Sequence, residues 1–431
     1  MNNAYVIGAL RTPIVRAGKE YARISADQLI APVLSALVER AGIAPHDVDH
    51  VFLGNAAGPG GNIARVATLA STLPSSVGAT SLDAQCASGL EAISAGARMI
   101  RCGEADIVIA GGVESVTTAP WRVEKQASAL TPPRMYSRAR FTPEPDADPD
   151  MGVAAENIAT RFKVSRERQD AFALQSHRRA VAAKYSGLFD DELLPVNTPT
   201  GPISEDTCPR LSLDARKLAA LKPAFMSNGS VTAGNSCPIN DGAAAVLMVG
   251  EKVMNALNPP FALRYLATAS GACDPEILGM AAVPAYQKLT RLLQDTEPAD
   301  ARLIEFNEAF AVQALACLDA LGIDPAMANR DGGALALGHP YGASGAILTT
   351  RLFWQAQKQG LEGQRAYALM AAAGGTGSAI AFESVVSQAE CPGISDIEPE
   401  GVHRFSTVLR ERSSQKPRIP KNKEGRIHPF G

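Results

Sequence analysis

The sequence predicts an α/β protein of layered sheets, built as two similar halves with a long insertion within the first. Three observations predict it. Short apolar runs alternate with stretches of helical spacing, the pattern of sheets covered by helices. Asp106-Ile107-Val108-Ile109-Ala110, ending in Gly111-Gly112, is a β-branched run of the kind buried on both faces. Two stretches also recur. Ala87-Ser88-Gly89 at one helix start returns as Ala343-Ser344-Gly345 at another, and Ile107 to Gly112 returns as Leu369 to Gly375. The recurrence points to a duplicated fold whose halves face each other, with Cys86 and His339 at equivalent corners. A chance match of Ser-Gly pairs in a Gly-rich chain is the alternative.

In chain order, Tyr5 to Gly8 is a short strand, and Ala26 to Ala41 has helical spacing that ends at Gly42. Val51 to Gly54 is a strand, Gly58 to Gly61 a loop, and Ala64, Val66, Ala67 and Ala70 mark a helix. The Cys86 corner and a helix to about Arg101 follow, then the Ile107 strand. From Val116 the texture changes to Pro clusters and Arg-rich patches. Residues 118–239 read as an insertion over the sheet domain with one helical region, Met151 to about Lys184. Long ordered insertions of this kind tend to be functional. The sheet resumes around Asp241 to Val249. A second α/β unit begins near Phe261: strand Leu303 to Phe306, a helix opened by Asn307, a helix from near Gly342, and strands Tyr367–Ala373 and Ser378–Glu383. The expected domains are 1–117 with 240–260, then 118–239, 261–384 and a tail, 385–431. The tail is Pro-rich, basic toward its end and poor in apolar periodicity. It is expected to be an extended arm, either solvated or docking a protein partner.

A chain of 431 residues with 46% hydrophobic and 20% charged content suits two or three domains around a large core. Net charge of −3 leaves no global footprint for nucleic acid or membrane. No apolar run reaches membrane-spanning length, the N-terminus lacks a signal pattern, and the C-terminal residues are not a peroxisomal address. The expectation is a soluble, cytoplasmic protein. Seven scattered cysteines with no Cys-x-x-Cys pair indicate neither a disulfide framework nor a zinc site. His46 and His50 sit beside Pro45 in what reads as an exposed turn, so no metal is expected.

Three motifs carry chemistry. The first is Cys86 in Asp83-Ala84-Gln85-Cys86-Ala87-Ser88-Gly89, a strand end, a sharp corner and a helix start. A helix N-terminus carries partial positive charge, which favours the nucleophilic thiolate; a small buried core cysteine is the alternative. The second is Asn307-Glu308-Ala309-Phe310 after a strand, where Asn307 either meets substrate or caps its helix. The third is Gly338-His339-Pro340-Tyr341-Gly342-Ala343-Ser344-Gly345, preceded by Asn329 and Gly332-Gly333. A cysteine nucleophile needs a base, and histidine suits that task near neutral pH. A thioester carbonyl needs donors aimed at its oxygen, and Asn amides, His N–H and helix-start N–H groups all serve.

This set resembles the thiolase family, the acetyl-CoA C-acyltransferases, over roughly residues 4–384. Gly111-Gly112-Val113-Glu114-Ser115, Met151-Gly152 with Ala155-Glu156-Asn157, and Val231-Thr232-Ala233-Gly234-Asn235 leading to Asn240-Asp241-Gly242-Ala243 belong to the resemblance. It implies a duplicated five-layered αβαβα fold, a loop domain that holds CoA, acyl-CoA substrates with no bound cofactor, and a homodimer or homotetramer. Cys86 would take the acyl group. His339 would activate it and, with a water held by Asn307, bind one thioester oxygen. The backbone N–H groups of Cys86 and Ala373 would form a second oxyanion hole. Cys237 stands where the family usually has a serine beside the pantetheine arm. Arg210 is a candidate for a CoA phosphate or an ordinary surface arginine. Leu278, Met280 and the Ala119-Pro120-Trp121 loop are expected to line the acyl pocket.

One departure stands out. The family's second reactive cysteine, in a Cys-x-Gly-Gly-Gly stretch, removes a proton from the second acyl-CoA. Here the stretch reads Ala371-Ala372-Ala373-Gly374-Gly375. A methyl group accepts no proton, and general acid–base help is worth about 10²–10⁴-fold. Ordinary condensation or thiolysis is therefore expected to be impaired, unless another group such as Cys237 substitutes. Cys86, His339 and Asn307 resemble the Cys-His-Asn set of decarboxylating condensing enzymes, in which loss of CO₂ makes the carbanion without a base. Simple acyl transfer would also survive. The reading from another class is an impaired CoA-binding scaffold or partner subunit.

Overall fold

The computed structural model describes residues 2–126, 128, 130–136, 138–144, 148–295 and 302–387. From residue 388 onward the expected basic tail, with Cys391, lies outside the described residues. The first half supplies β1 (Ala4–Arg11), β2 (Val15–Arg16), α1 (Ala26–Arg40), β3 (His50–Gly54), α2 (Ile63–Ala70), β4 (Gly78–Leu82), α3 (Ser88–Arg101) and β5 (Ile107–Glu114). The insertion holds β6 (Arg122–Val123), β7 (Met135–Tyr136), α4 (Met151–Phe162), α5 (Arg166–Tyr185), β8 (Val196–Thr198), β9 (Gly201–Ile203) and α6 (Ala215–Ala219). Then β10 (Asn240–Gly250) and α7 (Glu251–Leu257) complete the first half. The second half is β11 (Phe261–Ala272), α8 (Ala282–Leu293), β12 (Leu303–Phe306), α9 (Ala311–Leu321), α10 (Ala334–Leu337), α11 (Tyr341–Gln359), β13 (Arg365–Ala372) and β14 (Thr376–Val386).

The duplication is visible in the strand pairing. In the first half β3 runs parallel to β5, β5 antiparallel to β10, and β10 antiparallel to β1. In the second, β12 runs parallel to β13, β13 antiparallel to β14, and β14 antiparallel to β11. The two half-sheets join through a seam of only two residue pairs, Tyr5 with Arg264 and Val6 with Leu263.

Strand alternation sorts the side chains into three cores, because successive residues point to opposite faces. Ala243, Ala245, Leu247 and Val249 of β10 share one core with Leu29, Ile30 and Leu34 of α1. Their neighbours Ala244, Val246 and Met248 face a central core shared with Ala366, Ala368 and Met370 of β13, Leu90 and Ile93 of α3, and Ala343 and Ala346 of α11. Tyr367, Leu369 and Ala371 of β13 face a third core with Leu289 of α8 and Val312 of α9. Helices α1 and α2, then α3 and α11, then α8 and α9 are the outer, middle and outer layers of an α-β-α-β-α stack.

The insertion differs from expectation in one respect. The region from Met151 to Lys184 is two helices, not one. Lys163 ends α4 in the left-handed conformation (φ 54°), and Ser165 starts α5 by accepting the Arg168 N–H at 3.3 Å. Both helices pack on α9, and α5 also meets α10, so this segment of the first half's insertion lies against the second half.

A buried ion network ties the parts together. Arg11, at the end of β1, meets Glu192 through Nε at 2.7 Å and Asp206 through both terminal nitrogens at 2.7 and 2.8 Å. Arg351 of α11 binds the same Glu192 and also Asp331. Removing one partner strands buried charge, which costs more than the pair contributes. Arg11→Ala is therefore expected to lower unfolding stability by about 3–5 kcal/mol, read as a fall in the urea midpoint.

Candidate active site

Cys86 sits where the sequence places a corner. Gln85, just before it, has φ 54°, a left-handed conformation rare for a residue with a side chain. The corner is pinned from both sides. Asp83 Oδ1 accepts the Gln85 N–H at 2.8 Å. The Ser88 hydroxyl accepts the Ala84 N–H at 2.9 Å and donates to the Gln85 carbonyl. Strain held by local bonds in this way is common where a reactive side chain is presented. Cys86 is half-buried, two residues ahead of α3.

His339 occupies the matching place two residues ahead of α11 and is buried. Its backbone N–H donates to Asn240 Oδ1 at 3.0 Å, and its ring Nδ1 lies 2.6 Å from the Ser344 hydroxyl. The Tyr341 ring meets the imidazole edge-on, with centroids 5.5 Å apart. The two helix starts are in direct backbone contact. A Cβ on Gly89 would lie 2.8 Å from the Gly342 carbonyl oxygen, one on Gly345 would lie 2.5 Å from the Leu90 nitrogen, and one on Gly112 would lie 2.0 Å from the Gly342 oxygen. Only glycine permits this approach, and the two helices that make it are the ones that follow the Cys86 and His339 corners.

Asn307 follows β12 and is buried. Helix α9 begins only at Ala311, so Asn307 opens no helix, contrary to expectation, and caps none. Its backbone N–H is held by the Leu369 carbonyl at 3.0 Å, and its side-chain oxygen has no protein partner. Asn307, Glu305, Gly338, Ser344 and Arg351 line a cavity of about 20 Å³, enough for one water. The neighbouring Glu308 is held by Ser176 and by Asn329, each at 2.7 Å, which fixes the loop.

The 236–240 segment is laced to both motifs. The Cys237 N–H donates to the Ala309 carbonyl at 3.0 Å, and Ile239 forms a parallel bridge with His339. Cys237 is half-buried, and an ionised Cys86 would oppose its ionisation. The backbone N–H groups of Cys86 and Ala373 both act on the Cys86 sulfur. Ala371 is buried and faces the third core. The thiol bordering that core at Cys273 is turned onto the carbonyls of Ile277 and Leu278, 3.5 and 3.7 Å away. Arg210 is exposed, with its backbone N–H on His177 at 3.2 Å. Trp121 is 87% exposed among the described residues, whereas Met280 is buried.

Electrostatics change one expectation. Burial, and then the charge of Glu114, push the Cys86 thiol up to about 12, against the smaller pull of the two N–H groups. Burial holds the His339 imidazole down to about 4. Both shifts favour thiol and neutral imidazole over the thiolate that the helix start alone suggests. Desolvation exceeds the helix-end field here. Burial and the Cys86 charge likewise raise the Cys237 thiol. Glu114, Ser344, Tyr341 and Asn240 are the parts of the site that motif chemistry passes over. A carboxylate closing a wholly buried strand is the available signal for Glu114.

Two helix starts meeting over a cysteine and a histidine, in a duplicated five-layered fold, define an acyltransferase of the thiolase type. The thiolase N-terminal domain family matches residues 4–252, and the thiolase C-terminal domain family matches residues 260–384. The chain belongs to the thiolase family. It is 40% identical over 393 residues to a probable acetyl-CoA acetyltransferase of Escherichia coli K12, covering 89% of this chain and 99% of that protein. It is 40% identical over 397 residues to an acetyl-CoA acetyltransferase of Chromobacterium violaceum, covering 88% and 98%. The crystal structure of the Bacillus anthracis acetyl-CoA acetyltransferase superposes with a TM-score of 0.83 at 34% identity, covering 89% of this chain and 99% of that one. No helix among the described residues is long and apolar enough to cross a membrane.

A thiol held up to about 12 ionises in proportion to hydroxide across the neutral range. Alkylation of Cys86 by iodoacetamide is expected to rise about tenfold per pH unit from pH 7 to 9, with peptide mapping to read it. A plateau extending to acid pH would mean a preformed ion pair instead.

Proposed function

We propose that this chain moves acyl groups from acyl-CoA through a thioester on Cys86, with acetyl-CoA as the donor that the relatives' names suggest. The observation that carries the reading is the backbone contact between the α3 and α11 starts, which puts the Cys86 and His339 corners together. With Ser344 accepting the Nδ1–H, His339 Nε2 presents a lone pair to the Cys86 thiol. The imidazole takes the proton as sulfur attacks the thioester carbon, and returns it to the departing CoA thiolate. The unpartnered oxygen of Asn307 and its cavity suit a water that, with His339 Nε2–H, faces one thioester oxygen. The N–H groups of Cys86 and Ala373 face the other. Cys237 lies beside the pantetheine path, and Arg210 is the candidate for a CoA phosphate. A homodimer or homotetramer in the cytoplasm, with CoA thioesters as substrates and no bound cofactor, completes the reading.

Ala371 sets the second half of the reaction. Its methyl cannot take the Cα proton of a second acyl-CoA, so condensation favours a substrate that makes its own carbanion by losing CO₂, or a simple acyl acceptor. Holding all of Cys86, His339 and Asn307 in place argues against a scaffold that only binds CoA. Acetoacetyl-CoA cleavage by the native protein is expected to be slow, and Ala371→Cys is expected to raise it by about 10²-fold or more. Malonyl-CoA should outperform acetyl-CoA as second substrate in a condensation assay. Native thiolysis already fast and unchanged by Ala371→Cys would contradict this reading.

A further inference from the structure

Glu114 closes β5 and is wholly buried. Four N–H donors fill its carboxylate. Oε1 accepts from Asn55 Nδ2 and the Ala57 N–H, and Oε2 accepts from the Ala56 and Gly342 N–H groups, each at 3.0 Å. Asn55 is itself fixed by donating to the Val113 carbonyl at 2.8 Å. The Gly342 peptide is thereby pinched. Its N–H rests on Glu114, while its carbonyl faces the backbone of Gly112 and Gly89 so closely that no Cβ fits. Gly342 is three residues from His339, and Gly89 is three residues from Cys86.

We propose that Glu114 is a positioning residue for the Cys86–His339 pair: one carboxyl group that fastens the start of α11 to the 55–57 loop and, once ionised, sets a negative charge beside the nucleophile's corner. The proposal rests on the Cys86–His339 reading above. The groups that face Glu114 are Asp83 and Cys86 from the corner and Tyr341 from α11, and N–H groups rather than a cation fill its acceptors. A free thiolate at Cys86 would add a second negative charge to this neighbourhood, whereas the thiol and the acyl thioester are neutral. Glu114 thus disfavours an idle thiolate and leaves deprotonation to the moment of attack, when His339 takes the proton. Its charge is the second cause, after burial, of the raised Cys86 thiol. Burial holds Glu114 itself up to about 7, against the pull of its N–H partners.

The test is iodoacetamide alkylation of Cys86 from pH 6 to 10, beside kcat and KM for acyl transfer, in native protein, Glu114→Gln and Glu114→Asp. Glu114→Gln removes the charge and half of the acceptors. Alkylation at pH 8 is expected to rise about tenfold, one unit of thiol pKa. The kcat is expected to fall about 10²-fold with KM changing less, since the helix start loses its fastening. Glu114→Asp keeps the charge and is expected to keep the native alkylation profile with a lowered kcat. A Glu114→Gln profile that superposes on the native one overturns the proposal, as does an equal shift in both variants. If Glu114→Gln does not fold, Glu114→Asp carries the test, and native kcat or a shifted profile there overturns it. Alkylation uses no acyl-CoA, so it reads Glu114 even if Cys86 accepts no acyl group.

Discussion

The structure depends on a contact that side chains would forbid. Helices α3 and α11 begin against each other with Gly89, Gly342 and Gly345 at the crossing, and Gly112 of β5 lies beneath. Each helix is preceded by a two-residue corner, and the corners carry Cys86 and His339. Duplication supplies the symmetry and glycine the approach. The seam between the half-sheets is only two residue pairs long, so this crossing and the central core are what hold the halves in register. The Arg11 and Arg351 network then anchors the insertion to both halves.

Low polarity at that crossing shapes the chemistry. Burial favours the neutral form of both members of the pair, since charged forms there lose solvation. In the proposed mechanism charge appears only as sulfur attacks, where the N–H groups of Cys86 and Ala373 favour it. Donors fixed before charge develops need no reorganisation when it does. A reactive thiolate waiting in the open would instead be exposed to oxidation and side reactions.

Much of this is legible in the sequence. The buried strand at Ile107 and the helix from Ala26 end within a residue or two of their expected places, because apolar period and glycine punctuation report them well. The repeated Ala-Ser-Gly helix starts do mark equivalent corners. Three things are not legible. The break at Lys163 hides because Lys has no strong preference for the left-handed conformation that ends α4. Asn307 has the look of a helix start, yet the chain runs on to Ala311 first, held by the Leu369 carbonyl across the sheet. The protonation state of Cys86 depends on burial and on Glu114, which is 28 residues away in sequence and adjacent only after folding.

On the proposed reading, Ala371 leaves acyl loading of Cys86 untouched and takes a proton acceptor away from the second half of the reaction. On the same proposed reading Cys86 alone receives the acyl group, with His339 taking its proton. The most direct measurement is peptide-mapped mass spectrometry after brief incubation with acetyl-CoA. A gain of one acetyl group on the Cys86 peptide is expected, slowed in His339→Ala and gone in Cys86→Ala. An acetyl group on Cys237 with Cys86 unmodified, or no adduct from any acyl-CoA, would contradict it.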